Sequence, residues 1–447
     1  MLLIYTIIYA LGTILYYLKL NVIASGLIVS LAIFLYVKEV KNNHRIINVK
    51  GIFALGFLGG YGISLLKLSK LSSDYSFLTV LVIYITYFSL YLGSFFAKNQ
   101  KERFVNGIDK RINVSTIDNN KLTIINLALI AVTFLSFVIE AMTLKFIPVL
   151  TKDTPHAYST FHVHMIHYVT TLYIFIPSIA ISNYLSLKNK KNVVFIIISF
   201  FYVLILSTLM LSRGQLIMSV ILSVFTLVMH EGVPKLKTVA FYKKMIVLII
   251  IVILFLLYVF ITIHRAHDVE YLNGIFEMKD KNLPIYVTQP YMYVAHNYEN
   301  LNYMIENLTH HTFGRLSFTP LFTLTFAKKL FPFTIGAPSL LIKEELSTKT
   351  FIYDAYQDFG IVGVLILMIF VGYMGEILEN YVYDCIEKKS YYRNNYIVIL
   401  LALFSYYMLF SFLQSYMSLT DTWVNFIFVI LLCFLPISHS VVKNSDK

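Results

Sequence analysis

The stretch STLMLSRGQLIMSVI, Ser207 to Ile221, sets one permanently charged side chain, Arg213, in a run that is otherwise almost entirely apolar. The apolar run around it is about twice the length that one helix needs to cross a hydrocarbon layer about 30 Å thick. It therefore reads as two helices folded back on each other at SRGQ, residues 212 to 215, with Gly214 supplying the turn. That fold-back puts Arg213 at a membrane interface. At the bilayer centre the same charge would cost about 2.5–3.5 kcal/mol on the insertion scale. One explanation is a snorkelling arginine that marks the turn; the other is a charge kept for a ligand.

The pattern repeats along the whole chain. Of the 447 residues, 58% are hydrophobic and 13% charged, which excludes an ordinary soluble domain. Apolar blocks recur at about residues 2–20, 22–37, 51–66, 77–97, 122–140, 169–187, 193–211, 214–230, 245–263, 360–380, 395–413 and 422–438. They predict an all-α, polytopic membrane protein with about twelve transmembrane helices. With both termini inside, the cytoplasmic loops collect Lys38, Lys41, Arg45 and Lys50, then Lys98 to Lys121, and later Lys235 to Lys244 and Lys388 to Arg393. The short outside connections hold far fewer basic residues, among them Lys19, Lys67 and Lys70, so the positive-inside rule supports this orientation in a cytoplasmic membrane.

The formal charge of +12 then needs no nucleic acid. Much of it is basic charge facing the anionic inner leaflet. Cys385 and Cys433, the two cysteines, fall on different elements and predict no disulfide. The first span leads at once into a second and has no small-residue cleavage site, so it reads as a retained helix.

Two outside connections are long: about Ala141 to Tyr168, and about His264 to Phe359. The sequence thus divides into residues 1–263 with nine spans and an outer loop near 141–168, a long extracytoplasmic loop at 264–359, and 360–447 with three spans and a cytoplasmic tail. Long loops are usually functional or disordered. The aromatic-rich segments LPIYVTQPYMYVAHNYENLNYMIENL and FTPLFTLTFAKKLFPF favour ordered amphipathic pieces on the membrane face or capping the bundle. No repeated or inverted halves are visible, and Glu140, Glu376 and Glu379 all fall near span ends, which counts against a coupled carrier.

Histidines gather outside: His156, His162, His164 and His167 in the first loop, and His264, His267, His296, His310 and His311 in the second. The spacing of His162, His164 and His167 does not put three ligands on one helical face, and no cysteine joins them, so no zinc site is expected. Asp268-Val269-Glu270 is a weak acidic signal for a metal. The glycines of GFLGGYG, residues 56 to 62, lie in a span after no strand and predict close helix packing instead of a phosphate loop.

The sharpest motif is STKTFIYDAYQDFGIVGVLILMIFVGYMGE, residues 347 to 376, in which Asp-Phe-Gly-x-x-Gly opens a late membrane helix. With about twelve spans, a very long outer loop containing HNYENLNYMIE at 296 to 306, FIPVL after the fifth span and Ser-Arg-Gly at 212 to 214, the chain resembles the Wzy-type polymerases of O-antigen and capsular repeat units. The first outer loop departs from that pattern: it has TKDTPHAYSTFHVH, with Lys152 and His156 where an arginine is often found.

The resemblance implies a GT-C-like glycosyltransferase that joins polyprenyl-pyrophosphate-linked oligosaccharides on the outer face, by inversion, without a nucleotide-sugar donor, cofactor or metal. Membrane lipids, a chain-length regulator and a flippase would be its partners. A leaving pyrophosphate needs fixed cations, and arginine's planar fork suits phosphate oxygens. Arg213 and Arg265 are the first candidates, with Arg315 a third. The attacking hydroxyl needs a base, for which His264, His267, His296, Asp354 and Asp358 are available. Asp358 could equally be an N-cap. Tyr291, Tyr293 and Tyr298 could stack on sugar, though interfacial tyrosine is common anyway. A polysaccharide ligase shares the same features; a flippase or exporter is the alternative of another class. A membrane acyltransferase would call for a His–Asp pair that the sequence does not display.

Overall fold

The computed structural model describes residues 1–98, 115–117, 119–151, 157–187, 190–231, 269–330, 338–387, 396–435 and 438–440. Among these the architecture is helical. In chain order the helices are α1 (Leu2–Tyr17), α2 (Asn21–Asn43), α3 (Val49–Phe53), α4 (Gly59–Ser64), α5 (Phe77–Lys98), α6 (Asn119–Leu144), α7 (Ala157–Thr160), α8 (Ile166–Thr171) and α9 (Ile176–Leu187). They continue as α10 (Lys190–Leu209), α11 (Arg213–Glu231), α12 (Val269–Phe276), α13 (Ile285–Asn307), α14 (Thr319–Leu324), α15 (Ala327–Leu330), α16 (Tyr353–Glu387), α17 (Ile397–Leu409) and α18 (Thr420–Phe434). Two three-residue strands, β1 (Ser115–Ile117) and β2 (Ser438–Ser440), pair antiparallel with Ser115 opposite Ser440.

Among the described residues six helical segments are long and apolar enough to cross a membrane: Asn21–Asn43, Phe77–Lys98, Lys121–Leu144, Ile166–Leu185, Arg213–His230 and Tyr353–Glu387. Five shorter apolar segments, Leu2–Tyr17, Val49–Ser64, Val193–Leu209, Ile397–Leu409 and Thr420–Phe434, fall on five further expected spans. The block at about 245–263 lies outside the described residues. Helices of this length and composition make the chain a membrane protein.

The backbone forms two compact units that cut across the three-part division of the sequence. The first comprises Met1–Lys110, Val269–Tyr381 and Phe404–Phe426. In it α1, α2, α4 and α5 pack together and α13 lies against α4 and α5. Where α5 meets α16, a Cβ on Gly93 would stand 2.0 Å from the Ile369 carbonyl oxygen and one on Gly372 2.0 Å from that of Leu90. Each glycine therefore admits the other helix's backbone, and Ser94 Oγ donates to the Gly372 carbonyl at 3.1 Å. The glycines of 56–62 do the same work: Gly56 faces the Leu409 carbonyl, and Gly62 faces Val29.

Glu376 and Glu379, read as lying near a span end, belong to a buried charge network that ties α16 to α2 and α3. Lys50 lies 3.4 Å from Glu39 and 3.2 Å from Glu376. Glu379 accepts the Val49 amide at 3.0 Å and the Arg45 guanidinium at 3.3 Å. Opposite charges and the α3 amide together satisfy carboxylates that would otherwise be costly to bury.

The second unit comprises Arg111–Asp268, Val382–Leu403 and Ile427–Lys447. Here α6 packs on α8 and α9, and α9, α10 and α11 pack on one another. The Arg213 hairpin is present, with one correction. The chain reverses between Leu209 and Arg213, Leu211 takes the left-handed conformation (φ 52°), and Gly214 lies inside α11 with open space where a Cβ would be. Tyr173 Oη donates to Gln215 Oε1 at 2.7 Å and lies 3.0 Å from Ser207 Oγ, which closes both arms of the hairpin against α8's continuation.

Candidate functional site

The HNYENLN stretch, expected on an ordered amphipathic piece of the second outer loop, forms the buried polar face of α13. Glu299 accepts from Lys67 Nζ at 2.6 Å, from the Ser73 amide at 3.1 Å and from Tyr75 Oη at 3.0 Å. Asn300 Nδ2 donates to the carbonyls of Leu346 and Thr348, while its Oδ1 accepts the Ile342 amide. Asn302 binds the Ser76 amide and the Thr79 hydroxyl through Oδ1. These side chains fasten the 68–79 and 342–350 segments to the helix.

Two proposed substrate ligands share that structural role. His296 engages the Met292 carbonyl through Nδ1 and Thr348 Oγ1 through Nε2 at 2.6 Å, so neither ring nitrogen is open. Burial holds its imidazolium down to about 4, and the ring is neutral. Tyr291 accepts the Leu68 amide at 2.8 Å, and burial pushes its phenol up to about 12. His296 is therefore not placed as an open proton acceptor, nor Tyr291 as a stacking platform. Tyr298 likewise is buried, with its hydroxyl on the Phe57 carbonyl.

Asp358 resolves differently from either sequence reading. Gly360 (φ 63°, ψ −148°) breaks α16 just beyond it, and Asp358 is fully buried. Its carboxylate accepts the Thr312 hydroxyl, the Leu316 amide at 3.2 Å and the Ser317 amide at 2.7 Å. The backbone carbonyls of Gln357 and Asp358 accept the amides of Thr312 and Phe313. Asp358 thus caps a turn 41 to 46 residues away in sequence instead of the start of its own helix. Gly314 (φ 87°) makes the turn possible, and Arg315 stands exposed upon it.

The same turn contributes Ser317 and Phe318 to the wall of an apolar groove of about 360 Å³. Phe359, Val362, Ile366 and Phe370, three to four residues apart on α16, form its floor, and Ser415 and Ser418 add hydroxyls. The groove therefore offers a long apolar track next to a turn that holds a cation. Asp354 is paired with Lys349 at 3.1 Å, and that ammonium also lies 4.9 Å from the Tyr353 ring. Groove and turn were not foreseen from sequence; the Asp-Phe-Gly-x-x-Gly motif was the available signal.

In the second unit Arg213 opens α11 and is largely buried. In the same unit, Glu140 is fully buried near the end of α6, and its Oε1 lies 3.0 Å from the Val163 amide and 3.1 Å from His167 Nδ1. The His162 ring is 4.8 Å from that of His167. Glu140 was read only as a carboxylate near a helix end; its partner, 27 residues on, gave no local signal. Among the described residues no three His, Cys, Asp or Glu side chains converge to hold a metal ion. Arg265, His264, His267, Lys152, His156 and Asp268 lie outside the described residues. No family model, no curated protein and no solved structure matches the chain.

Proposed function

We propose that this protein is a GT-C-like membrane glycosyltransferase with about twelve spans, in the cytoplasmic membrane with both termini inside. It polymerises polyprenyl-pyrophosphate-linked oligosaccharide repeat units into surface polysaccharide on the outer face. The observation that carries the reading is the turn clamped by Asp358, which holds exposed Arg315 and lends Ser317 and Phe318 to an apolar groove along α16. An amphiphile with an anionic head and a hydrocarbon tail suits that combination. Arginine supplies two parallel donors to phosphate oxygens, and its charge offsets that of the departing pyrophosphate. Arg213 and Arg265 enter only as the arginines that the resemblance points to for a phosphate.

In the reaction an acceptor hydroxyl attacks the anomeric carbon of the donor saccharide as the bond to pyrophosphate breaks, with inversion. The test is the size distribution of surface polysaccharide in a strain lacking the protein, complemented with wild type, Arg213→Ala or Arg315→Ala at matched membrane levels. Loss of long chains with single repeats retained in the null, restored by wild type alone, is the expected result. Unchanged lengths in a null strain with no second polymerase would refute the reading. Single repeats missing from the cell surface, with transport lost, would favour an exporter.

A further inference from the structure

We propose that the groove along α16 selects a branched isoprenoid tail over a straight acyl chain and grips only its head-proximal part, about three isoprene units; the assignment rests on the polymerase reading above, which supplies the lipid. Turn, groove and the part of α16 that lines it all belong to the first compact unit. Val362, Ile366 and Phe370 follow one another at four-residue steps on one face of α16. Each step advances about 6 Å along a helix, so this row spans about 12 Å. Phe359 and Phe318 prolong the track towards the turn. Among the described residues of α16, Phe370 is the last that lines the groove, although the helix runs on to Glu387. An isoprene unit adds four carbon bonds of about 1.5 Å to the chain and advances it by about 5 Å. The track therefore holds about three units.

Val362, Ile366 and Phe370 are 63%, 61% and 59% exposed, so the track is open on its side. A tail can enter from the hydrocarbon layer, but so can any acyl chain, and within hydrocarbon the hydrophobic effect does not separate the two. Packing has to do so. A polyisoprenoid carries a methyl branch at every fourth carbon, a repeat of about 5 Å that lies close to the side-chain step of about 6 Å on α16. The branches settle between successive side chains, where a straight chain leaves the gaps unfilled and forfeits those contacts.

Charge sets the direction of the tail. Arg315 stands exposed on the turn that Asp358 clamps, two residues before Ser317 in the groove wall. A pyrophosphate head is drawn to that end and the tail runs down α16 away from it. A zwitterionic phospholipid would bring its own cation towards the guanidinium, which favours the isoprenoid pyrophosphate again.

The test measures binding apart from catalysis. The purified full chain, in nanodiscs of a zwitterionic phospholipid, is titrated with radiolabelled isoprenyl pyrophosphates of increasing length and with a straight-chain alkyl pyrophosphate as long as three isoprene units. Kd should fall about threefold or more with each unit up to the third and change by less than about twofold beyond it. The straight chain should bind about threefold or more weakly than its isoprenoid counterpart. Ile366→Trp sets a ring across the track and should abolish the gain from the second and third units. Leu365→Trp, on α16 but outside the groove wall, should keep every Kd within about twofold of wild type. Arg315→Ala should weaken all the isoprenyl pyrophosphates by one common factor. Val362→Trp replaces Ile366→Trp if the latter is not monodisperse. Affinity that keeps rising with tail length, equal binding of the straight chain, or an unaltered length dependence in the groove variant would overturn the assignment. Equal losses in Ile366→Trp and Leu365→Trp would overturn it too. Wild-type protein with the expected length dependence that never lengthens chains, when null-strain membranes supply unpolymerised lipid-linked units, would overturn the polymerase reading and leave the tail site standing.

Discussion

Lys67 Nζ lies 2.6 Å from Glu299 Oε1 with both side chains buried, and Lys67 Nζ also stands 3.1 Å from the centre of the Tyr75 ring. Burial holds the ammonium down to about 8, and the same burial pushes the carboxylate of Glu299 up. Each charge is tolerated because the other is there. Removing one partner from a buried pair typically costs about 3–5 kcal/mol, whereas replacing both is often close to neutral. Lys67→Met should therefore lower the thermal unfolding midpoint in detergent much more than Lys67→Met with Glu299→Gln. Equal loss in the single and double variants would show that the pair is not coupled.

His296 predicts a pH dependence of stability. Its folded value of about 4 lies below the ordinary 6.5. Between those two values the unfolded chain binds a proton that the folded chain refuses, so stability falls as pH drops from 6.5 towards 4. The full effect is about 3 kcal/mol. His296→Gln should flatten this limb relative to wild type in unfolding scans at pH 7 and pH 5. An unchanged difference between the two pH values would rule the assignment out.

The reciprocal contact of Gly93 and Gly372 is the tightest helix crossing described. A methyl at either position would stand 2.0 Å from a backbone carbonyl oxygen, which no side-chain rotation relieves. Gly93→Ala and Gly372→Ala should each cost more than the roughly 1–3 kcal/mol of ordinary overpacking, whereas Gly214→Ala, in open space within α11, should be neutral or slightly stabilising. Yield of monodisperse protein and its melting temperature distinguish the three.

The helical class and the placing of the apolar segments were legible because length and composition alone set them. The Arg213 hairpin was legible for the same reason, but its turn residue was not: a left-handed leucine at 211 carries no sequence mark, whereas glycine at 214 does. Site residues failed where the partner was distant. Glu299 meets Lys67 across 232 positions, and a polar run such as HNYENLN looks alike whether it faces sugar or fastens its own chain. Conversely, the Asp-Phe-Gly motif marked the start of a late apolar helix while hiding what the aspartate holds.

Asp358 provides the sharpest separation of clamp from base. Its carboxylate accepts two amides and a hydroxyl, so no lone pair is conspicuously reserved for substrate, and the side chain is sealed from solvent. Asp358→Asn replaces one acceptor oxygen with a donor facing the Leu316 or Ser317 amide, and each buried donor left unsatisfied costs about 1–3 kcal/mol. The turn should loosen: limited proteolysis near Arg315 should speed up and the melting temperature fall. If Asp358 acts only by holding that turn, chain lengthening by Asp358→Asn should decline in step with Arg315→Ala, and the double variant should be no slower than the worse single one. An Asp358→Asn protein with an intact turn, unchanged melting temperature and a rate lowered by about 100-fold or more would instead make Asp358 the base.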